Sequence, residues 1–140
     1  VREKHDAYAR DIGNPRRRFH GTSCSDECNF FFNLERGPCG SRDCSVCSIR
    51  TRGFLLKENV GRTAVASNSR LRYGEGMYFS SVSGKANDYA AGSEKVDNDM
   101  KWRCMFIATA AVGRAHRTQE AVLPAHMCPP PGFDAVLGEV

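Results

Sequence analysis

The pattern of apolar and polar residues along the chain predicts its clearest strand at residues 102–112. Met105, Ile107 and Val112 can lie inside a sheet there, and Gly113 ends the strand. Two further strands are predicted at residues 16–20 and, after the proline-rich turn at 129–132, at 133–137. Strands separated in this way by helices and loops are typical of an α+β domain.

Charged residues dominate positions 3–11, where a helix is predicted because Gly13 follows its end and Pro15 prevents its continuation. Ser25-Asp-Glu-Cys28 can cap a second, short helix whose phenylalanines supply core contacts. Residues 49–56 predict a short helix or strand. Exposed loops are predicted at residues 57–72 and 92–101, and the first of these is a candidate lid over a ligand.

Composition limits the classes of protein to which the chain can belong. Its 140 residues predict a single domain spanning 1–140. The net charge is +4, and 15 of the 20 cationic residues are arginines, which suit bidentate contacts with phosphates or an acidic target. No apolar run reaches the ~18 residues of a membrane span, and the first residues lack a signal-peptide core. An intracellular protein, nuclear or cytoplasmic and without a membrane partner, is therefore predicted.

Five of the seven cysteines lie within residues 24–47, and this crowding favours a metal site. Cys44-Ser-Val-Cys47 has the turn spacing that lets two thiolates reach one Zn²⁺, and Cys39 can be the third ligand. The fourth ligand is Cys28 or Cys24. Disulfides in an oxidised protein and free buried thiols are the alternatives to zinc.

Four short motifs follow one another in an order that is more informative than any one of them. They are Arg18-Phe-His-Gly-Thr-Ser23, Gly74-Glu-Gly-Met-Tyr-Phe79 with Tyr89 after it, Ala111-Val-Gly113, and Pro131-Gly-Phe-Asp-Ala-Val-Leu-Gly-Glu139. In this order they resemble the poly(ADP-ribose) polymerase-like ADP-ribosyltransferases, a class named for a His, a Tyr and usually a Glu. The cysteine insert most resembles a fungal branch with a zinc knuckle at this place, and that pattern favours Cys28 over Cys24.

The resemblance implies a role for each matching residue. His20 corresponds to the histidine that hydrogen-bonds the adenosine ribose of NAD, and Thr22 to a small hydroxyl residue that faces the same ribose. Gly21 corresponds to the glycine whose backbone N–H and C=O bind the nicotinamide amide. Tyr78 and Tyr89 would lie on the two faces of the nicotinamide ring. His20 and Tyr78 are accordingly the predicted catalytic residues.

Two positions depart from the family pattern. A serine that donates to the nicotinamide carbonyl is usual eight residues after the first tyrosine, and this chain has Ala86 there. One hydrogen bond to the substrate is therefore either missing or replaced by Ser83 or by water. Ser83 is also predicted to cap the helical turn that carries Tyr89. The catalytic glutamate is expected on a strand beyond Val140, since Glu139 comes too early in the motif.

The resemblance implies an ADP-ribosyltransferase fold, in which two antiparallel sheets are split around an NAD cleft. The predicted function is NAD-dependent transfer of ADP-ribose, with NAD as the substrate, a structural Zn²⁺, and a protein or nucleic acid as the acceptor. Alternatives are an inactive module that binds NAD or ADP-ribose, and an NAD glycohydrolase. A zinc-containing nucleic-acid binder without an NAD site is less favoured, because the knuckle lacks interleaved aromatic and basic residues.

Overall fold

The computed structural model of the chain describes residues 2–55, 71–74, 76–123 and 129–139. Most of the predicted loop at 57–72 therefore lies outside the described residues. The chain divides into two compact units. The first unit comprises Val1–Arg16, Leu55–Met77 and Thr109–Val140, and the second unit comprises Arg17–Phe54 and Tyr78–Ala108.

Short helices and short strands make up the described chain, which agrees with the predicted α+β class. The helices are α1 (Arg2–Ile12), α2 (Ser45–Arg52) and α3 (Ser83–Tyr89). The strands are β1 (Pro15–Gly21), β2 (Lys95–Asp97), β3 (Met100–Trp102), β4 (Met105–Ala111), β5 (Ala115–Thr118) and β6 (Ala135–Gly138). Single 3₁₀ turns lie at Leu34–Arg36 and Ala91–Ser93. No described helix has the length and apolar character that a membrane span requires.

In the first unit, α1 ends as its sequence predicts. Gly13 has a φ of 75°, a left-handed conformation that suits glycine, and its N–H donates to the carbonyl of Ala9 at 2.9 Å. β5 and β6 pair in parallel, with Ala115 opposite Ala135. This parallel pair corrects the expectation that the sheets are antiparallel throughout.

β1 pairs with β4. The N–H groups of Val112 and Gly113, just after β4, donate to the carbonyls of Asn14 and Gly13, just before β1, which is the arrangement of an antiparallel pair. Strands are therefore present where the sequence predicts them at 16–20 and within 102–112. The inward placement of Ile107 is wrong, because its side chain is 64% exposed.

A β-hairpin occupies most of the segment that was predicted as a loop at 92–101. β2 and β3 pair antiparallel, with Asp97 opposite Met100, so that the turn consists of Asn98 and Asp99. Both turn residues have positive φ, 48° and 61°, as the tight hairpin turn of this length requires. Asn-Asp is a weaker signal for this turn than Asn-Gly, and the sequence prediction missed it.

The core of the second unit consists largely of thiols. Its buried members are Cys24, Cys28, Cys44, Val46 and Cys47, and the partly buried Phe30, Phe31, Cys104 and Phe106 pack against them. The short helix predicted after Ser25 is wrong, because residues 26–33 contain turns and no helix. The core contacts predicted for Phe30 and Phe31 are nevertheless present, whereas the one predicted for Phe32 is wrong, because its side chain is 40% exposed.

Candidate active site and metal centre

Four cysteines converge in the second unit. The sulfurs of Cys28, Cys39, Cys44 and Cys47 all lie within 4.8 Å of one another, and those of Cys28 and Cys47 are 3.5 Å apart. Zinc bound by four thiolates lies about 2.3 Å from each sulfur, which separates the sulfurs by roughly 3.8 Å. The four side chains therefore fit a closed tetrahedral metal site.

Helix α2 positions two of these sulfurs. Cys44 is its N-cap residue and Cys47 lies in its first turn, where the Cys47 N–H donates to the Cys44 sulfur at 3.4 Å. The N–H of Cys39 donates to the Cys47 sulfur at 3.2 Å. These hydrogen bonds fix the positions of the two sulfurs relative to the backbone of Cys39 and α2. Cysteine is not a usual N-cap residue, so the sequence prediction placed the start of this element at residue 49, whereas α2 begins at Ser45.

The thiols of the cluster differ in acidity. Burial raises the pKa of Cys28, and it raises the pKa of Cys47 to about 11. Slight burial also acts to raise the pKa of Cys39, but hydrogen bonds from the Ser41 backbone and the Ser25 hydroxyl outweigh it and lower the pKa to about 7. A buried group of thiols cannot all ionise together without a cation, so a bound metal would compensate the charge that burial disfavours.

The group of four thiols contains Cys28 and not Cys24. Cys24 is buried in the same core. Cys24, Cys104 and the four grouped cysteines are all free, which disfavours the disulfide alternative for these six residues. Cys128 lies outside the described residues.

His20 lies near the end of β1 and contacts the second sequence motif directly. Its Nδ1 lies 2.8 Å from the carbonyl oxygen of Tyr78. A carbonyl only accepts hydrogen bonds, so Nδ1 carries a proton. In the neutral ring, Nε2 then bears the lone pair and can accept a hydrogen bond from a ligand hydroxyl. Paired backbone bonds of 2.8 Å between Phe19 and Ser80 hold the two segments side by side.

Gly21 lies directly against α3. A Cβ at this position would come within 1.8 Å of the Ala86 carbonyl oxygen and 2.8 Å of the Ala90 nitrogen. Only glycine allows this approach of two backbones. Ala86 and Ala90 are both buried at this contact, whereas the remaining residues of α3 are exposed.

The two tyrosines belong to the open part of the second unit. Tyr78 is 38% exposed and Tyr89, at the end of α3, is 70% exposed, so both rings are accessible to a ligand. Thr22 follows Gly21 and is half-buried. The capping role of Ser83 is wrong: Val82 is the N-cap of α3, no side chain caps it, and Ser83 is an exposed first residue of the helix.

Sequence reasoning missed the aromatic surroundings of His20. The ring of Phe54 meets the imidazole edge to face, with centroids 5.0 Å apart and an interplanar angle of 85°. Phe79 lies 5.6 Å from the same imidazole. Phe79 follows Tyr78 in the motif and could have been identified from that position, but Phe54 is distant in sequence and carries no local signal.

Comparison with known families agrees with these features. The family model described as poly(ADP-ribose) polymerase catalytic domain matches residues 38–139, more than two thirds of the chain. The match includes the segments with Tyr78 and Tyr89 and begins after His20 and Gly21. No curated protein matches the chain.

Proposed function

This chain belongs to the poly(ADP-ribose) polymerase catalytic-domain family, and we propose that it cleaves NAD and transfers ADP-ribose to an acceptor. One observation carries the proposal: the Nδ1 of His20 is held by the Tyr78 carbonyl at 2.8 Å. This hydrogen bond joins the first sequence motif to the second and leaves Nε2 as the acceptor nitrogen. A ribose hydroxyl is the donor that this nitrogen would meet in NAD.

The nicotinamide half of NAD would bind beside the same strand. The backbone N–H and C=O of Gly21 would contact the carboxamide, while the missing side chain lets α3 pack against this strand. The exposed rings of Tyr78 and Tyr89 would stack on the nicotinamide. Thr22 would contribute a hydroxyl to the adenosine ribose, and Ser83 is an accessible hydroxyl at the start of α3.

Transfer breaks the bond between the nicotinamide nitrogen and ribose C1′, and nicotinamide leaves with the bonding electrons. Positive charge develops on the ribose, and a nucleophilic oxygen or nitrogen of the acceptor then bonds to C1′ and loses its proton. A carboxylate near the ribose 2′-hydroxyl would stabilise this charge. Glu139 already pairs with Arg117 at 2.7 Å, which supports the assignment of that role to a different glutamate.

The cysteine cluster would hold one structural Zn²⁺. Its four sulfurs supply a complete tetrahedral set and leave no position for a substrate, which is typical of a structural site. The metal would anchor the loops that precede α2, where regular hydrogen-bonded structure is sparse.

The test of this function measures both the release of nicotinamide from NAD and the binding of NAD to the protein. His20→Ala is expected to reduce both the release of nicotinamide from NAD and the thermal stabilisation of the protein by NAD. His5→Ala is the matched control, since His5 lies on α1 and hydrogen-bonds the Thr109 carbonyl. Equal activity in His20→Ala and the control would contradict the proposed site. If NAD stabilises the wild type but no nicotinamide is released, the inactive binding module is favoured over the transferase. Release of nicotinamide without any modified acceptor would indicate a glycohydrolase.

A further inference from the structure

The imidazole of His20 belongs to a cluster of four rings, and the other three are Phe54, Phe79 and Phe106. The Phe54 ring contacts three of the others: His20 at 5.0 Å, Phe79 at 5.0 Å and Phe106 at 6.1 Å between centroids. The ring contacts to His20 and Phe79 are edge to face, the geometry that aromatic pairs favour. Phe54 therefore packs directly against the imidazole and limits its rotation.

Phe54 is also attached to the metal centre through α2. Cys44 caps the N-terminus of this helix, and Cys47 lies in its first turn. Gly53 ends the helix with a φ of 81°, and its N–H donates to the Ile49 carbonyl at 2.8 Å. Phe54 is the next residue. A helix of eight residues is about 12 Å long and stiff, so its two ends move together.

A second connection runs through the core. Phe106 packs against the buried cysteine cluster and against Phe54. The N–H of Val46 in α2 donates to the Ser23 carbonyl at 3.2 Å, three residues after His20 in the sequence. Two connections, α2 and Phe106, therefore join the sulfur cluster to Phe54, which contacts the imidazole.

We propose that Phe54 is a positioning residue for His20, and that through it the metal centre sets the orientation and tautomer of the imidazole that receives the adenosine ribose. The cysteine cluster then has a role in substrate binding as well as in folding. The use of His20 by NAD rests on the proposed function, whereas the coupling between Phe54 and the imidazole rests only on the contacts described above.

The test compares three variants of two phenylalanines in the zinc-loaded protein. Phe54→Leu keeps an apolar side chain of similar size but removes the ring that contacts the imidazole. Phe31→Leu is the matched control, because Phe31 also packs against the cysteine core and its ring contacts Phe32. Phe54→Tyr keeps the ring and serves as the conservative variant. Zinc content and melting temperature are measured for each variant.

The decisive readout is the ¹⁵N spectrum of the His20 ring, in which protonated and unprotonated ring nitrogens resonate separately. The wild type, Phe31→Leu and Phe54→Tyr are expected to show one tautomer with the proton on Nδ1. Phe54→Leu is expected to retain zinc and to show a mixture of tautomers, with NAD binding weakened about threefold to tenfold. A local loss of packing alone would not change the proton position in this way.

An unchanged His20 spectrum in Phe54→Leu would overturn the positioning role, whatever its effect on NAD binding. The same spectral change in Phe31→Leu would also overturn it, since any disturbance of the core would then be sufficient. A wild type that binds no NAD, together with a tautomer mixture confined to Phe54→Leu, would contradict the proposed function and support the positioning role. Removal of zinc by a chelator should produce the same mixture of tautomers, and a single Nδ1–H tautomer in the folded, metal-free protein would contradict control by the metal.

Discussion

The cysteine cluster and the tyrosine site belong to the same compact unit, yet they are formed in opposite ways. Three of the four grouped cysteines are buried, and their sulfurs already lie at distances that suit a metal. Tyr78 and Tyr89 are 38% and 70% exposed. Under the proposed function, the cysteine cluster would contribute to folding and the two exposed tyrosines to binding.

Gly21 is relevant both to packing and to the tyrosines. Its backbone packs closely against α3, and α3 carries the exposed Tyr89. Substitutions are therefore expected to fall into three groups: those that damage the fold, those that damage both fold and binding, and those that damage binding alone. The predictions below examine these groups in order of decreasing effect.

Loss of a cysteine from the cluster should have the largest effect on stability. Cys28→Ala is expected to abolish stoichiometric zinc binding and to cost about 4–5 kcal/mol or more, because an incomplete ligand set loses metal-binding energy that contributes to folding. Elemental analysis and urea unfolding measure the two effects. Cys24→Ala is the matched control, since Cys24 is a buried thiol of the same core outside the group of four. Zinc loss in Cys24→Ala with zinc retained in Cys28→Ala would reverse the ligand assignment.

A methyl group at Gly21 should affect stability and binding together. Gly21→Ala places a Cβ within 1.8 Å of the Ala86 carbonyl oxygen, and the required shift of α3 is expected to cost about 3 kcal/mol. Denaturant unfolding and NAD-induced stabilisation measure the two effects.

Gly84→Ala is the control for this substitution within α3. A Cβ at Gly84 meets nothing within 4 Å, so the change should stabilise the protein by about 0.5–1 kcal/mol. Similar destabilisation in both variants would show that the approach of β1 to α3 is looser than the structure indicates.

The parts that the sequence predicted well depend on chemistry that is local in the chain. The spacing of Cys39, Cys44 and Cys47 predicts that their thiols lie close together, and the structure brings these three sulfurs and that of Cys28 within 4.8 Å of one another. Gly13 predicts the end of α1 because a left-handed residue there suits glycine. The order of four motifs predicted the family to which the chain belongs.

The parts that the sequence did not predict depend on partners that are distant in the chain. The parallel pairing of β5 with β6 joins segments twenty residues apart, and short apolar runs do not specify its direction. Serine is a common N-cap residue, but the residue with extended backbone before α3 is Val82, so Ser83 is the first residue of the helix and not its cap. The position of Phe54 against His20 follows from the end of α2, which began earlier than predicted because Cys44 caps it.

Removal of the second tyrosine should affect binding with little effect on the fold. Tyr89→Ala is expected to change the unfolding free energy by less than about 0.5 kcal/mol, because its side chain is 70% exposed. Stabilisation of the protein by nicotinamide should fall strongly, since stacking on the ring contributes roughly 0.5–1.5 kcal/mol beyond area burial. Tyr8→Ala on α1 is the control, with a ring that is 53% exposed. If nicotinamide stabilises Tyr89→Ala and the wild type equally, the ligand binds elsewhere.

The smallest expected effect is a gain of binding at Ala86. This residue occupies the position where the resemblance predicts a serine, and it is buried at the contact with Gly21. Ala86→Ser would supply a hydroxyl to the nicotinamide carbonyl, and a net hydrogen bond of about 0.5–1.5 kcal/mol corresponds to binding roughly twofold to tenfold tighter. The unliganded protein should lose up to about 1–2 kcal/mol, because the hydroxyl is buried without its ligand. Calorimetric titration with nicotinamide measures the gain, and Ala90→Ser, one turn later on the same buried face, should lack it. Equal or weaker nicotinamide binding in Ala86→Ser would show that α3 does not direct this position toward the carboxamide, and the alignment of the chain with the family pattern along α3 would have to be shifted.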